Sequence, residues 1–452
     1  MVFKRKIYAK LLEWKNSARG KRALLIEGAR RIGKSTIVEE FAKREYRSYI
    51  LIDFNDVSRA ILNAFNDHLN DLDTFFMILS TEYGVDLFRR ESVIIFDEVQ
   101  RFPKARQSIK KLVKDGRYDY LETGSLISIR QNVKDITIPS EERSIDMHPM
   151  DFEEFCLALG EAQMVRYIKD CFDRRKPLER TLHEKAMLIF RQYMLVGGMP
   201  KSVDAFLENR SFNASDEEKR DILKMYREDI MKIDVRYQSK VLSIFDQIPS
   251  FLSQHEKRVV FNEVEKGSYF SQYAETFFWL GDARIVKECF NCTDPNIGLA
   301  LNETRAYIKC YMGDTGLLVS HAFNENEITE NELYKQILNG ELTLNEGMLY
   351  ENAIAQILAA NGHKLFFYTH YNEEKHRNDI EIDFVIQSGG RLNFKIMPIE
   401  VKSGKRYRYE SLKRFREKFG ERLGESYIIH PKNFAITRDG VVCIPAYMAM
   451  CL

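Results

Sequence analysis

Short apolar runs alternate with amphipathic stretches over the first 150 residues of the chain. Runs of this kind, ended by polar residues or glycine, are typical of strands in a parallel sheet whose faces are covered by helices. The strand candidates are ALLIE (23–27), SYILIDF (48–54), SVIIFDE (92–98) and YDYLETG (118–124). SVIIFDE is nearly continuous in apolar residues up to its acidic end, which indicates a strand buried on both faces. The pattern predicts an α/β domain over residues 1–150.

The pattern changes after Pro149. Residues 151–237 are mainly helical in their periodicity, with a VGGMP turn at 196–200, and this segment is predicted to be a helical lid or linker domain. Residues 238–325 give two helices and then two strand-like runs, an order compatible with a winged helix. Residues 326–452 begin in a polar linker and give a helix, strands, a second helix and a further strand, which predicts a second α/β domain.

Composition agrees with several folded domains. A chain of 452 residues is too long for one core, and 44% hydrophobic beside 30% charged residues is typical of a soluble globular protein. The formal net charge of +1 means that any nucleic-acid binding has to come from a local patch. No segment approaches the roughly 20 apolar residues that span a bilayer, and the basic N-terminus lacks the apolar core of a signal peptide. We therefore expect a cytoplasmic protein without membrane contact.

The seven cysteines are scattered along the chain, which favours reduced thiols over a disulfide framework. Cys289 and Cys292 have CxxC spacing, but a structural zinc needs four ligands and no second pair lies nearby. Ordinary thiols are therefore favoured over a metal or redox site.

A phosphate-binding loop is predicted directly after the first strand. The segment matches GxxxxGK[ST], and it opens a helical run as that loop requires. Its residues are Gly28, Ala29, Arg30, Arg31, Ile32, Gly33, Lys34 and Ser35, with Thr36 next. The pattern predicts ATP held by backbone amides and by Lys34, Mg²⁺ held by Ser35, and Thr36 beside the α-phosphate. The alternative is a surface turn with an accidental lysine.

Two adjacent carboxylates, Asp97 and Glu98, end the strand SVIIFDE. The carboxyl ends of parallel strands lie at the edge where open α/β sheets bind ligands, so we predict that Asp97 holds the Mg²⁺ shell. Glu98 is predicted to orient or deprotonate the attacking water, which favours ATP hydrolysis over phosphoryl transfer to a metabolite. The alternative is an acidic strand end in solvent.

Two further positions are candidates for the same site. Ser125, in the turn Thr123-Gly124-Ser125, is predicted to sense the γ-phosphate, although such a turn is also a common strand exit. Arg143 is a candidate arginine finger that supplies positive charge to the transition state, and alone it would be an ordinary surface arginine. A finger acting on a second copy would favour a homo-oligomer.

Several motifs together resemble a known family: GARRIGKST, FDEVQRFP, ETGS, HPMDFEEF, YMLVGGMP, YMGDTGLL, and EIDFVI with IEVKSG. They are similar to archaeal and bacterial AAA-superfamily ATPases, relatives of the STAND switch ATPases, with a winged helix and a C-terminal restriction-endonuclease-like domain. The resemblance implies an α/β fold class with a P-loop NTPase core, helical lid, winged helix and nuclease-like α/β domain. It implies a nucleotide site of Gly28, Gly33, Lys34, Ser35, Asp97 and Glu98. Relatives often have Gly-Arg where this chain has Glu142-Arg143.

The last segment contains a PD-(D/E)XK arrangement. Asp383 lies in the strand EIDFVIQ, and Glu400 and Lys402 lie two residues apart in IMPIEVKSG, so they project from one face of a strand. The two carboxylates are predicted to bind Mg²⁺ or Mn²⁺, and the lysine to activate water for phosphodiester cleavage. Glu351, on the preceding helix, is the expected place of a further acidic ligand.

Basic residues crowd the sequence after this constellation, interleaved with Tyr407 and Tyr409: Lys402, Lys405, Arg406, Arg408, Lys413, Arg414, Arg416 and Lys418. They form either a DNA- or RNA-binding patch or a solvated helix face. Our leading hypothesis is an ATP-hydrolysing switch or motor whose C-terminal domains engage nucleic acid. The second is a signalling ATPase in which the C-terminal domain is an inactive protein-binding module.

Overall fold

The computed structural model describes residues 2–124, 140–254, 256–264, 266–323, 334–335, 338–339, 346–374, 376–388, 395–404 and 406–452. It divides into two compact units, Met1–His148 and Pro149–Leu452. In the described ranges, none of the helices combines the length and apolar character that crossing a bilayer requires.

The first unit contains a five-stranded parallel sheet with the strand order β2-β3-β4-β1-β5. Its strands are β1 (Ala23–Glu27), β2 (Ser48–Asp53), β3 (Ser92–Asp97), β4 (Asp119–Gly124) and β5 (Glu142–Asp146). Its helices are α1 (Ile7–Ala18), α2 (Lys34–Glu45), α3 (Arg59–Asp67), α4 (Leu72–Tyr83) and α5 (Pro103–Asp115). The predicted α/β fold with a parallel sheet is confirmed. The apolar pattern missed β5, because this edge strand is polar and largely exposed.

The middle of this sheet is fully buried. Every residue of β3 and β4 is buried, since β4 lies between β1 and β3. Phe96 of β3 packs edge-on against Phe54 and Phe65, with ring centroids 5.9 and 5.5 Å away. Because the strands are parallel, the loops after β1, β3 and β4 all leave from one edge of the sheet, and this edge positions the predicted ATP site.

The second unit contains a helical half and an eight-stranded sheet. Its helices are α6 (Phe152–Ala158), α7 (Ala162–Asp173), α8 (Arg180–Val196), α9 (Pro200–Asn209), α10 (Phe212–Ile230), α11 (Val235–Ser253), α12 (Phe261–Val264), α13 (Ala274–Asp282), α14 (Thr315–Ala322), α15 (Glu346–Ala360) and α16 (Glu410–Phe419). Its strands are β6 (Val286–Cys292), β7 (Glu303–Met312), β8 (Phe366–Asn372), β9 (Arg377–Gln387), β10 (Ile396–Val401), β11 (Tyr427–His430), β12 (Ala435–Ile436) and β13 (Val442–Pro445).

One sheet runs through the predicted winged-helix and nuclease-like segments. The strand order is β12-β13-β11-β10-β9-β8-β6-β7, and β6 pairs with β8 in parallel through Phe290 and Phe366. The boundary predicted at residue 325 therefore does not separate two sheets. The division of the chain into four domains stays a prediction, and the linker predicted at 324–332 lies outside the described residues.

Asp314 joins two of the sequence motifs, VGGMP and GDTG. Its carboxylate accepts hydrogen bonds from the N–H of Gly198 at 2.6 Å and from the N–H of Leu317 at 3.0 Å, which caps α14. A Cβ on Gly198 would lie 1.9 Å from the carbonyl oxygen of Met150, so only glycine fits there. These two motifs are explained by packing inside the second unit.

Candidate functional site

The phosphate-binding loop joins the end of β1 to the start of α2. Gly33 has φ of 87°, a left-handed conformation that glycine adopts without strain. A Cβ on Gly28 would lie 2.4 Å from the carbonyl oxygen of Met147, so glycine is required there as well. The Lys34 ammonium donates hydrogen bonds to the carbonyl oxygens of Gly28 at 3.0 Å and Ala29 at 2.8 Å. The loop thus holds its lysine in place without a ligand.

The other predicted loop residues differ in exposure. Ala29 and Ile32 are buried under the loop, Arg30 is half-buried, and Arg31 and Thr36 are exposed. The loop therefore has a buried apolar side, formed by Ala29 and Ile32, and an exposed polar side.

Asp97 is the centre of a hydrogen-bonded group at the end of β3. Its Oδ1 accepts a hydrogen bond from the Ser35 hydroxyl at 2.8 Å, and the Thr123 hydroxyl donates to the same oxygen. The Thr123 hydroxyl also accepts from the N–H of Glu98 at 3.2 Å. A carboxylate and two hydroxyls converge here, and hard oxygen donors of this kind suit Mg²⁺. The residues present therefore fit the predicted metal.

Thr123 is the neighbour that the register of the sheet brings to Asp97, because Phe96 of β3 pairs with Glu122 of β4. The sequence predicts that Ser125 senses the γ-phosphate, and Ser125 lies outside the described residues. The threonine two positions earlier carries the observed contact. Thr123 belongs to the same Thr123-Gly124-Ser125 turn, so its hydroxyl could have been recognised as a candidate from the sequence.

Glu98 follows Asp97 with φ of 54°, a left-handed conformation that is uncommon for residues other than glycine. Strain of this kind is found most often at functional sites. The Glu98 carboxylate is half-buried and accepts a hydrogen bond from the side-chain amide of Gln100. The motif contained Gln100, yet sequence reasoning gave it no role.

Arg143 lies in β5, where it is exposed and pairs in register with Leu24 of β1. The phosphate-binding loop leaves β1 after Glu27, which pairs with Asp146. Arg143 is therefore three residues, or about 10 Å, short of the strand's carboxyl end. This position does not bring it to the loop of its own chain, and a role at the nucleotide of a second copy stays a prediction.

The predicted nuclease-like residues do come together. Ile399 of β10 pairs with Phe384 of β9 in antiparallel register, so the next residues along, Glu400 and Asp383, lie at the same level. Asp383 accepts a hydrogen bond from the N–H of Val401 at 2.8 Å. The Lys402 ammonium lies 2.9 Å from Oε2 of Glu400. Burial raises the pKa of Glu400 to about 7, against the opposing effect of Lys402.

Glu351 is completely enclosed by partners that sequence reasoning missed. Its Oε1 accepts hydrogen bonds from the Lys309 ammonium at 3.0 Å and from the Tyr311 hydroxyl, and its Oε2 accepts one from Lys257. Burial alone would raise the pKa of Glu351, but the two lysines hold it well below its usual range. Among the residues that the structure describes, no group of three or more His, Cys, Asp or Glu side chains is arranged to hold a metal ion.

Most of the described basic residues after this constellation have local partners. Arg414 donates to the carbonyl oxygen of Asp379 at 3.0 Å, Arg416 pairs with Asp439 at 3.3 Å, and Lys418 donates to Tyr368 at 2.9 Å. Arg406 and Arg408 are exposed, as is Arg414, whereas Lys402, Lys413 and Arg416 are half-buried. Tyr407 and Tyr409 are half-buried, and their hydroxyls bond to His430 and Asp439. Lys405 lies outside the described residues.

A family described as an AAA domain matches residues 20–156. Residues 20–156, which contain the phosphate-binding loop, are thus similar to an AAA domain, and they are called the AAA domain below. Two families described as domains of unknown function match the remainder, DUF8612 over residues 187–327 and DUF4143 over residues 346–448. No curated protein matches the chain. A restriction-endonuclease-like C-terminal domain therefore stays a prediction.

Solved structures show only distant likeness. AMPPCP-bound DnaA from Aquifex aeolicus is 13% identical over 62% of this chain and 90% of its own, with a TM-score of 0.29. A STAND protein with a tetratricopeptide repeat sensor from Pyrococcus horikoshii is 13% identical over 80% of this chain and 49% of its own, with a TM-score of 0.28. Drosophila ORC bound to DNA is 12% identical over 71% of this chain and 95% of its own, with a TM-score of 0.25. Scores this low carry no argument.

The AAA domain also gives Glu142 a structural role. Arg106 of α5 donates two hydrogen bonds to its carboxylate, at 2.9 and 2.6 Å, and both side chains are buried. Glu122 of β4 is fully buried nearby, and burial, together with Glu142, raises the pKa of Glu122 well above its usual range. A glycine at position 142, as in the resembled family, would leave Arg106 buried without this partner.

The buried position of Lys34 in the AAA domain predicts a pH dependence. Burial lowers the pKa of Lys34 to about 8, although Glu98 and Asp97 act in the opposite direction. Phosphates favour the charged ammonium, so ATP affinity should fall as pH rises through about 8, with proton uptake on binding. Calorimetric titrations at that pH, in buffers of different ionisation enthalpy, measure this uptake.

The control for this prediction is Lys34→Arg, because a guanidinium stays charged at these pH values. Where the arginine variant binds ATP, it should do so without proton uptake. Binding heats of the wild type that do not depend on the buffer would contradict the prediction.

Proposed function

We propose that the AAA domain binds ATP with Mg²⁺ and hydrolyses the γ-phosphate bond. The observation that carries this proposal is the convergence on Asp97 of hydroxyls from the phosphate-binding loop and from β4. Ser35 and Asp97 would hold the metal, which when bound would neutralise charge on the phosphates.

The chain's own residues would perform the remaining steps. Lys34 would exchange its two carbonyl partners for phosphate oxygens, gaining charge-assisted hydrogen bonds. Glu98 would accept a hydrogen bond from the attacking water and take its proton, since its carboxylate lies at the same sheet edge. Thr123 would fix the positions of Asp97 and Glu98 relative to each other.

Steady-state ATP hydrolysis by the full chain, with Mg²⁺ and with the metal chelated, tests this function. Mg²⁺-dependent turnover supports it. Folded protein that shows neither saturable ATP binding nor turnover would refute it.

For the second unit we propose an interaction with DNA or RNA through the exposed basic residues before α16. Arg406 and Arg408 are both exposed in the loop that follows β10. Phosphate backbones bind such residues with an affinity that depends strongly on salt. The half-buried tyrosines are held by their own hydrogen bonds, so base stacking on them has less support from the structure.

Replacing Arg406 and Arg408 together by alanine should weaken nucleic-acid binding at least about tenfold at low salt. The slope of log affinity against log salt should become shallower by about 2, because each phosphate contact contributes about one unit. Fluorescence anisotropy with labelled DNA and RNA at several salt concentrations measures both effects.

The matched control is Arg174→Ala with Arg180→Ala, which removes two exposed arginines from helical parts of the same unit. This pair should bind nucleic acid like the wild type. An equal loss of nucleic-acid affinity in both double variants would indicate nonspecific electrostatic attraction. It would contradict the assignment of the binding surface to Arg406 and Arg408.

A second candidate function is a signalling ATPase whose C-terminal part is a protein-binding module without cleavage activity. The observation that favours it is the pairing of Glu351 and Asp383 with buried lysines. Incubation with DNA or RNA and Mg²⁺ or Mn²⁺, with and without ATP, distinguishes the candidates. Metal-dependent cutting that is lost in Glu400→Ala would favour a nuclease, and its absence would favour the module.

A further inference from the structure

The residues around Glu351 form what we call the paired-charge cluster. It consists of the carboxylates of Glu351, Asp383 and Glu400 and the ammonium groups of Lys257, Lys309 and Lys402. Each of the three carboxylates has an ammonium group within ion-pairing distance. The two lysines that the PD-(D/E)XK pattern does not include come from the segment before α12 and from β7.

Lys309 is the central cation of this cluster. Its Nζ lies 3.0 Å from Oε1 of Glu351 and 3.5 Å from Oδ1 of Asp383, and its side chain is 1% exposed. A lysine ammonium is ordinarily protonated at neutral pH. Lys309 thus places a positive charge between the two carboxylates that the sequence pattern assigns to a metal.

A divalent ion has little opportunity to enter between these groups. It would have to displace the Lys309 ammonium, whose side chain is only 1% exposed. The Lys257 ammonium on the other oxygen of Glu351 would repel it at short range in a poorly solvated environment. Asp383 accepts a hydrogen bond from the N–H of Val401. Glu400 is ion-paired with Lys402, although in the described part of the chain neither of its buried oxygens accepts a hydrogen bond.

We infer that Lys309, which lies between Glu351 and Asp383, takes the place of the divalent cation, so that the second unit does not bind Mg²⁺ or Mn²⁺ there. The inference deepens the second candidate function, because a PD-(D/E)XK constellation without metal has no means of activating water for cleavage. Its role is structural: the cluster fastens α15, β7 and the segment before α12 to β9 and β10. Binding of nucleic acid through Arg406 and Arg408 is independent of it.

Mn²⁺ binding by the full chain without nucleotide, followed by electron paramagnetic resonance of the free ion, tests the inference. We expect that the Asp383→Asn substitution does not reduce saturable Mn²⁺ uptake by the chain. Uptake that is lost only in Asp97→Asn belongs to the AAA domain and leaves the inference intact. Saturable uptake by the wild type that disappears in Asp383→Asn would overturn it. Comparing Mn²⁺ uptake by the wild type with uptake by Asp383→Asn is sufficient to accept or reject the inference.

A second measurement asks whether the lysine and a metal are interchangeable. Lys309→Met leaves the buried Glu351 and the half-buried Asp383 without their shared cation, so Tm should fall by about 5–10 °C. Adding Mn²⁺ should raise the Tm of this variant but not that of the wild type. The control Lys364→Met removes an exposed lysine paired with Glu303 and should change neither value. An unchanged Tm in Lys309→Met would contradict the proposed role of Lys309.

Neither outcome depends on the ATP site. Hydrolysis measured on the same preparations reports the AAA domain separately, so failure of the ATPase proposal and failure of the cluster inference are distinguishable. Mn²⁺ uptake at the cluster together with normal ATP turnover would reject only the inference.

Discussion

Lys34→Ala should lower ATP affinity by at least about 100-fold. A charge-assisted hydrogen bond contributes roughly 1.5–3 kcal/mol, and every 1.4 kcal/mol corresponds to about a tenfold change in affinity. Lys34 would donate more than one such bond to the triphosphate, since its ammonium already donates to two carbonyl oxygens of the loop. Titration of the folded variant with labelled ATP and Mg²⁺ measures the loss.

Lys43→Ala provides the control, because Lys43 belongs to the same helix and is exposed in an ion pair with Glu39. It should bind ATP like the wild type. Circular dichroism of both variants shows whether α2 is retained. Wild-type affinity in folded Lys34→Ala would remove the lysine from the site and leave the P-loop assignment without its main charge.

Glu98→Gln should slow ATP hydrolysis by about 100-fold or more while ATP affinity stays close to that of the wild type. General base catalysis by a positioned carboxylate contributes about 10²- to 10⁴-fold. The amide has nearly the same shape and its oxygen can keep the hydrogen bond from Gln100, but it cannot take a proton from water. Affinity and turnover have to be measured on the same preparation.

The matched control is Glu91→Gln, an exposed carboxylate that directly precedes β3 and lies at the other end of that strand. It should change neither binding nor turnover. Equal turnover in Glu98→Gln and the wild type would show that another group activates the water.

Both candidate functions share this ATP site and differ in what the second unit does. The proposed nucleic-acid binding would depend on exposed arginines, whereas cleavage would depend on a metal at carboxylates that are already paired with lysines. Binding without cleavage is therefore the combination that agrees with both sets of contacts.

The sequence by itself determined the strands and the loop in which the proposed ATP site lies. A buried apolar run indicates a strand, a glycine-rich turn with a lysine opens a helix, and acidic residues end the next buried strand. The apolar runs predicted β1 to β4, and the structure confirms them with small shifts at their ends. These signals could be read because each depends on residues that are close together in sequence.

Only the tertiary structure decided which side chains meet. Thr123 reaches Asp97 because β4 lies beside β3, and Arg143 falls short of the loop because of its register with β1. Lys309 and Lys257 precede Glu351 by 42 and 94 residues, and they reach it only because β6 and β7 join the C-terminal sheet. Strand order and register place these charges together, and a local hydrophobic period contains no information about either.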